Sequence, residues 1–247
     1  MGGEYGGISM YTWLLNALQA EYETVRLIKE SSRGCVRLIQ HCRTGQQFIL
    51  RQFSGNGAIY QQLMQFQCRN IPQIFEVAHG EDTLVIEEFI KGDSLGFLLK
   101  GALFTAAETR KIVFQLCQAL WVLQSVGAVH RDIKPENVIL RGKEAVLIDF
   151  DAARIQKPWT EADTQILGTV GFAAPEQYGL SQTDFHTDIY ALGILMNIML
   201  TGEHPTRRLA RGPLGRVVER CTRINPEKRS GRPAAGGNSP SIWRRRW

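Results

Sequence analysis

The sequence predicts an α+β fold in two lobes, the first rich in β-strands and the second mainly helical. The first observation behind this prediction is a series of short alternating apolar segments in residues 22–88, separated by Gly or polar turns. The second is a change of character after Lys91, beyond which long apolar periodicities typical of helices take over. We place the hinge between the lobes near residues 88–93.

The individual elements follow from the same patterns. Strands are predicted at residues 25–30, 35–40, 47–53, 75–80 and 83–89, with two short strands later at residues 137–140 and 145–149. Helices are predicted at residues 11–20, 57–67, 105–126 and 187–201. The third helix has its own start signal, because Thr105 is followed three residues later by Glu108 in the spacing of a capping box.

The composition indicates an ordinary globular protein. Of the 247 residues, 44% are apolar and 21% are charged, and the net charge of +5 is too small to predict a nucleic-acid partner. The five cysteines are odd in number and show no C-x-x-C spacing, which favours a reducing, cytoplasmic location and argues against zinc. No secretory signal is recognisable, and the longest apolar run, residues 191–200, is too short to span a membrane.

The chemistry is concentrated in an ordered set of motifs. HRDIKPENVIL occupies residues 130–140, DFDAAR residues 149–154 and AAPE residues 173–176; HTDIYALG and CTRINPEKR follow at 186–193 and 221–229. This order, over roughly residues 22–229, resembles eukaryotic-type Ser/Thr protein kinases, in the style of their bacterial members. The resemblance implies a two-lobed protein-kinase-like fold that transfers the γ-phosphate of ATP to protein hydroxyls.

The resemblance assigns roles to the lower-lobe residues. Asp132 would orient the attacking hydroxyl, and Lys134 would steady the transferring phosphate, as in Ser/Thr rather than Tyr kinases. Asn137 and Asp149 would hold Mg²⁺, or Mn²⁺ in its place, because an amide and a carboxylate offer hard oxygen ligands. Thr169 would contact the catalytic Asp and frame the substrate site.

Further roles concern scaffolding, regulation and the nucleotide. Glu176 would pair with Arg229, and Asp188 would clamp the catalytic loop. Arg131 would respond to a phosphate on Thr160 or Thr164. ATP would bind at the cleft near residues 86–93, with Ile86 guarding the pocket and the backbone from Glu87 to Phe89 offering hydrogen bonds to adenine. The nucleotide-binding residues implied by the resemblance are Val36, Arg51, Ile86, Glu87, Phe89 and Ile139.

The first lobe departs from the family pattern. The Gly-rich loop aligns with KESSRGCV at residues 29–36, in which only Gly34 remains, and Arg51 stands where the family has lysine. The acidic helix partner of that lysine aligns with Ile59, so the Lys–Glu pair is expected to be absent in both halves. Asp151 replaces a glycine and either restricts the segment or adds a carboxylate near the metal.

Three functions remain open at this point. An active Ser/Thr kinase with a rebuilt phosphate clamp, in which Arg51, Lys29 or Arg37 supplies the charge, is the first. It is favoured by the intact Asp132, Lys134, Asn137 and Asp149. A pseudokinase acting as a nucleotide-binding or protein-binding scaffold is the alternative. A small-molecule phosphotransferase is disfavoured by Lys134, Thr169 and the AAPE string, which build a platform for protein substrates.

The predicted domain organisation has four parts. Residues 1–21 form an N-terminal extension, 22–88 the first lobe, 89–229 the second lobe, and 230–247 a disordered basic tail. The short segment after Pro205 leaves open whether the second lobe is truncated. The expected partner is a protein that presents a Ser or Thr hydroxyl, with no nucleic acid and no membrane span; the oligomeric state is left open.

Overall fold

The chain divides into two compact units between Lys91 and Gly92. The computed structural model describes residues 9–156, 169–178 and 183–229. The predicted basic tail and the predicted phosphorylation sites Thr160 and Thr164 lie outside the described residues.

The first unit is built on one antiparallel sheet of five strands, as the sequence predicts. Its strands are β1 (Tyr22–Ser31), β2 (Gly34–His41), β3 (Gln47–Phe53), β4 (Ile74–His79) and β5 (Thr83–Glu88). Their order across the sheet is β1-β2-β3-β5-β4. The burial of β3 fits its central place, since its middle residues, Ile49, Leu50 and Arg51, are all buried although they alternate between the two faces of the sheet.

A helix covers one face of this sheet. Helix α1 (Met10–Glu21) begins after Ser9, whose hydroxyl accepts the backbone N–H of Thr12 at 3.2 Å. Its apolar stripe places Leu14 and Leu18 in a core cluster with residues of four strands, Ile39, Leu50, Ala78, Leu84 and Ile86. The helical part of the N-terminal extension is therefore packed onto the first unit.

The second helix of this unit is shorter than predicted. Helix α2 (Ala58–Leu63) replaces the helix expected at residues 57–67. Its buried side chains, Ile59, Tyr60 and Leu63, all fall within this range. The amide of Phe66 then bonds to the carbonyl of Leu63 at 3.0 Å, three residues back, so the chain tightens and leaves the α-helix once its buried face ends.

The second unit is mainly helical. Its α-helices are α3 (Leu95–Leu98), α4 (Ala106–Ser125), α5 (Phe185–Thr201) and α6 (Gly212–Cys221). The predicted start of α4 is confirmed, because the Thr105 side chain and the Glu108 side chain each accept the other's backbone N–H in a capping box. Over the ranges that the structure describes, no helix is long and apolar enough to cross a membrane.

Short strands of the second unit hold the motif segments in place. They are β6 (Asp93–Ser94), β7 (Ala128–Val129), β8 (Val138–Arg141), β9 (Glu144–Leu147) and β10 (Arg154–Ile155). Strands β6, β8 and β9 form one sheet, and β7 pairs with β10. Residues 130–137 therefore connect β7 to β8, as a loop that ends in a short 3-10 helix (Pro135–Asn137), and residues 148–153 form a second loop directly after β9.

Candidate active site

The carboxylate of Asp132 is the centre of a polar cluster in the second unit. Its Oδ2 accepts hydrogen bonds from Lys134 Nζ at 2.7 Å and from Asn137 Nδ2 at 3.0 Å. Its Oδ1 accepts the hydroxyl of Thr169 at 2.6 Å. The structure thus brings together the predicted residues Asp132, Lys134 and Asn137, and it adds Thr169 as the sequence predicts.

The cluster is closed by a further bond and remains open to solvent. Lys134 Nζ also donates to Thr169 Oγ1 at 2.9 Å, so the hydroxyl accepts from the ammonium and donates to the carboxylate. The side chains of Lys134 and Asp132 keep 22% and 16% of their surface exposed. The Asp132 carboxylate and the Lys134 ammonium, 2.7 Å apart, are therefore both partly exposed.

The loop that carries Asp132 is held in a strained backbone conformation. Among the described residues, the non-glycine residues with positive φ are Arg131, at 70°, and Asp149, at 67°. Such angles cost about 1–3 kcal/mol each and persist only where surrounding contacts impose them. Both residues lie beside or within the predicted catalytic groups, which is where strained backbone tends to concentrate.

Asp188 of α5 supplies those contacts for Arg131. Its carboxylate accepts the backbone N–H of His130 at 2.8 Å and that of Arg131 at 2.9 Å. From the other side, Gln177 Nε2 donates to the carbonyl of Arg131 at 2.8 Å. Burial raises the pKa of Asp188 to about 7, although the two N–H donors bond the charged form and act in the opposite direction. The predicted clamp role of Asp188 fits this geometry.

His130 is a buried scaffold residue. Its Nδ1 accepts the backbone N–H of Asp132 at 3.3 Å, and its Nε2 lies 3.2 Å from the carbonyl of Ile148. Burial lowers the pKa of His130, while the nearby Asp149 and Asp132 carboxylates act against it. A neutral ring with its proton on Nε2 satisfies both contacts, and it ties the two motif loops together.

Asn137 and Asp149 are brought to the same place by strand pairing. The amide of Ile148 donates to the carbonyl of Asn137 at 2.9 Å, next to the Val138–Leu147 pair of β8 and β9. Both side-chain hydrogen bonds of Asn137 in the described residues use Nδ2, with Asp132 as the acceptor, so Oδ1 is the atom left for a cation.

Asn137 and Asp149 offer oxygen donors of the kind that a divalent cation takes from a protein. The described ranges hold no group of three or more His, Cys, Asp or Glu residues arranged for a metal. An amide oxygen and one carboxylate are nevertheless the donors that Mg²⁺ takes from proteins when phosphate oxygens and water complete its shell. Asp151, the departure from the family glycine, is exposed, and its backbone N–H donates to Asp149 Oδ1 at 3.4 Å.

The predicted nucleotide residues of the first unit divide between the two faces of the sheet. Val36 and Ile49 form an apolar cluster with Leu38, against which Phe89 packs. Ile86 lies on the opposite face, in the cluster that α1 covers. Its prediction as the guard of the nucleotide pocket is therefore corrected, because the alternation along β5 turns its side chain away from Val36. Of the remaining predicted residues, Ile139 lies half-buried on β8 in the second unit.

Arg51 and Glu87 form a buried ion pair that the sequence did not predict. Arg51 Nε donates to Glu87 Oε1 at 2.8 Å, and the two side chains are only 6% and 3% exposed. The family's Lys–Glu pair is missing in both halves, because Arg51 replaces the lysine and Ile59 replaces the helix carboxylate. The helix carboxylate is absent at Ile59, but a carboxylate from β5 takes up the cation on β3. No local signal in either strand could have found it, because the contact depends on the register between β3 and β5.

The retained Gly34 has a structural reason. Ser31 pairs with Gly34, so β1 and β2 are joined by a tight turn of Ser32 and Arg33. Gly34 has a φ of 150°, and a Cβ on it would come within 2.1 Å of the carbonyl oxygen of Gln52 on β3. Glycine is therefore required here by the close approach of a neighbouring strand.

Comparison with known proteins gives a consistent result. A family model for the protein kinase domain matches residues 22–231. Serine/threonine-protein kinase 1 of Heliothis zea nuclear polyhedrosis virus is 31% identical over 188 residues, which cover 73% of this chain and 68% of the viral protein. Serine/threonine-protein kinase PknA of a Nostoc species is 31% identical over 190 residues, 71% of this chain and 33% of that protein.

A third relative covers less of the chain. Serine/threonine-protein kinase pkn2 of Myxococcus xanthus is 32% identical over 134 residues, which is 51% of this chain and 16% of that protein. The chain therefore spans about a third or less of the two bacterial relatives.

Proposed function

Because the chain belongs to the protein kinase domain family, we propose that it transfers the γ-phosphate of ATP to serine or threonine hydroxyls of a protein substrate. The predicted family, the two-lobed α+β fold class and the enzyme class of protein serine/threonine kinase are confirmed by the family match and the relatives. No finding favours the pseudokinase alternative.

The observation that carries the proposal is the hydrogen-bonded Asp132 carboxylate. Transfer of a phosphoryl group requires position and charge cancellation rather than covalent chemistry by the protein. Asp132 accepts the proton of the substrate hydroxyl, and Thr169 fixes the carboxylate by its bond to Oδ1. The Lys134 ammonium, 2.7 Å from Asp132, supplies positive charge where a transferring phosphate would approach the hydroxyl.

The cofactors follow from the family and from the donor set. Membership of the family implies ATP and a divalent cation. We propose Mg²⁺, or Mn²⁺ in its place, held by Asn137 and Asp149, because both offer hard oxygen donors. The cation, when bound, neutralises charge on the nucleotide's phosphates. On the first unit, Val36 and Phe89 offer apolar contact, and Arg51 offers a cation.

The proposal extends to the domains and the setting. It keeps the predicted lobes, residues 22–88 and 89–229, but moves their boundary to the division between Lys91 and Gly92, so that Phe89 belongs to the first lobe. It also includes a protein as partner, no nucleic acid, and a cytoplasmic location. The five cysteines support a reducing compartment, since all five are free thiols. A protein substrate is preferred over a small molecule because Lys134 and Thr169 bond to each other beside Asp132, at the start of the segment that leads to AAPE.

Adding ATP with Mg²⁺ should raise the melting temperature of the wild-type chain, and Asp149→Asn should remove most of this shift. A ligand at 100 times its Kd stabilises the folded state by about 2.7 kcal/mol, which corresponds to roughly 5–10 °C for a chain of this length. The asparagine variant keeps the shape but loses the charge that a divalent cation needs. Thermal unfolding followed with and without nucleotide and cation measures the effect.

The matched control is Glu219→Gln, which removes a carboxylate charge from the exposed surface of α6. It should keep the full nucleotide-dependent shift. A wild-type chain that shows no shift with either Mg²⁺ or Mn²⁺, and no transfer of radiolabel from ATP to a protein, would overturn the proposed function. A shift without any transfer would point to the scaffold alternative.

A further inference from the structure

The pairing of β3 with β5 places Arg51 and Glu87 on one face of the first unit's sheet. Arg51 lies opposite Val85, and Glu87 lies opposite Ile49. Side chains alternate with a period of two, so Arg51, Val85 and Glu87 share a face, and Arg51 and Glu87 are diagonal neighbours. On the next strand Val36 is paired with Arg51, which adds it to the same face. This face therefore combines apolar side chains with one cation and one anion.

The two charges are buried together. Arg51 is 5% exposed and Glu87 is 2% exposed as whole residues. A charge at such a position is costly unless an opposite charge and hydrogen bonds compensate it. The 2.8 Å bond from Arg51 Nε to Glu87 Oε1 supplies the opposite charge and one hydrogen bond. Because Nε is the donor nearest the aliphatic stem, the bond also fixes the direction in which the planar end of the guanidinium group points.

Helix α2 places the aromatic ring of Tyr60 against Arg51. The guanidinium carbon of Arg51 lies 5.9 Å from the centre of the Tyr60 ring, within the range of a cation–π contact. Tyr60 is itself buried and packs against the Phe53 ring at 5.8 Å. Arg51 is therefore held from two sides, by a carboxylate of β5 and by an aromatic face of α2.

We propose that Glu87 is the positioning residue for Arg51, in place of the missing helix carboxylate, and that it holds the guanidinium in the orientation that binds a nucleotide's phosphate. This inference rests on the proposed function, because it assumes that Arg51 meets a triphosphate. In this arrangement the orientation of the β3 cation depends on β5, a neighbouring strand of the same sheet, and not on a carboxylate from α2.

The inference predicts an effect on nucleotide affinity more than on the chemical step. Without the carboxylate, the long arginine side chain regains rotamer freedom, and binding a phosphate must order it again. Glu87→Ala should therefore raise the KM for ATP about tenfold or more, a coupling of ordinary size for residues in contact. The value of kcat should change less. Glu87→Gln keeps the volume and an accepting oxygen but loses the charge, so its KM should lie between those of wild type and Glu87→Ala.

The experiment is a double-mutant cycle on the full chain. Six proteins are compared: wild type, Glu87→Ala, Glu87→Gln, Arg51→Met, and the two double variants that combine Arg51→Met with each change at Glu87. For each we measure KM and kcat with ATP, Kd by nucleotide-dependent thermal shift, and the melting temperature without nucleotide. The matched control is Glu76→Gln, which changes a half-buried carboxyl on the opposite face of the same sheet and should leave the KM unchanged. In the Arg51→Met background, the changes at Glu87 should add nothing to KM.

The outcomes separate the inference from the proposed function. If wild type transfers phosphate but Glu87→Ala and Glu87→Gln keep its KM, or if their effects simply add to that of Arg51→Met, then Glu87 is only a stabilising partner and the inference fails. If Glu87→Ala does not fold, Glu87→Gln decides by the same criterion. If wild type binds ATP but transfers nothing, the proposed function fails. The inference is then tested by comparing the ATP Kd values of the single and double variants. If wild type neither binds nor transfers, both fail.

Discussion

Replacing Asp132 with asparagine should lower the rate of phosphate transfer by about 10²–10⁴-fold, the usual contribution of a positioned general base. The carboxylate is held by hydrogen bonds from Lys134, Asn137 and Thr169, all of them donors. An asparagine side chain presents one oxygen and one N–H₂ group to these three donors. It cannot accept a proton from the substrate. In either orientation its N–H₂ group also lies against a group that now donates to the carboxylate, which is Thr169 on one side or Lys134 and Asn137 on the other.

The same replacement should leave nucleotide binding and folding nearly unchanged. The donors proposed for the cation are Asn137 and Asp149, and the Asp132 side chain is partly exposed, so its loss opens no buried cavity. Transfer of radiolabel from ATP to a generic protein measures the rate, and the nucleotide-dependent thermal shift measures binding. Glu219→Gln serves again as the exposed control. Transfer at the wild-type rate by Asp132→Asn would remove Asp132 from the mechanism.

The parts of the fold that the sequence predicts well are those whose signal is local. The five strands of the first unit are bounded by turn residues, and helix α4 carries its own capping box. The catalytic segment is also local, because Asp132, Lys134 and Asn137 lie within six residues of one another. The short connection between β7 and β8 then keeps these three side chains close together.

The predictions that failed depend on which face of a strand a residue occupies. In β5, all residues from Thr83 to Glu87 are buried, so the alternation of apolar and polar residues that normally marks the two faces is absent. The sequence of β5 therefore does not show which face of the sheet Ile86 occupies. Its side chain lies on the face that α1 covers, opposite the face of Val36. One residue of difference reverses the face of a strand.

The Arg51–Glu87 pair was missed for a related reason. The two residues are 36 positions apart, and their contact depends on the register between β3 and β5. No property of either segment alone fixes that register. In the family pattern the carboxylate comes from the helix after β3, where Ile59 stands, whereas here it comes from β5. Helix α2 also ended earlier than predicted because its buried face is short.

Replacing Arg229 with alanine should lower the free energy of unfolding by about 3–5 kcal/mol, the usual cost of removing one partner from a buried ion pair. Arg229 Nη1 and Nη2 bond to the two carboxylate oxygens of Glu176, and Nη2 does so at 3.0 Å. The remaining donations go to the backbone carbonyls of His186, Arg223 and Ile224. All five guanidinium N–H groups are thereby used.

The guanidinium also lies 4.8 Å from the centre of the Tyr190 ring, and its side chain is fully buried. Lysine cannot reproduce this planar set of donors, so Arg229→Lys should be nearly as destabilising as Arg229→Ala. The control is Arg208→Ala, which breaks an exposed pair with Glu203 at 3.8 Å and should cost less than about 1 kcal/mol. Urea unfolding of the three variants gives the comparison. Equal effects at positions 229 and 208 would contradict a structural role for the buried pair.

The partner Glu176 should make this contribution dependent on pH. Burial raises the pKa of Glu176, but the hydrogen bonds from Arg229 and Thr187 outweigh it and hold the pKa below its ordinary value of 4.5. The folded protein then releases this proton more readily than the unfolded chain does. The stabilisation by the pair is therefore complete above pH 4.5 and is lost as the pH falls through the lower, folded pKa. Glu176→Gln lacks this titration, so the stability difference between wild type and variant should be constant at neutral pH and should shrink in acid. A difference that grows as the pH falls would reverse the sign and contradict the assignment.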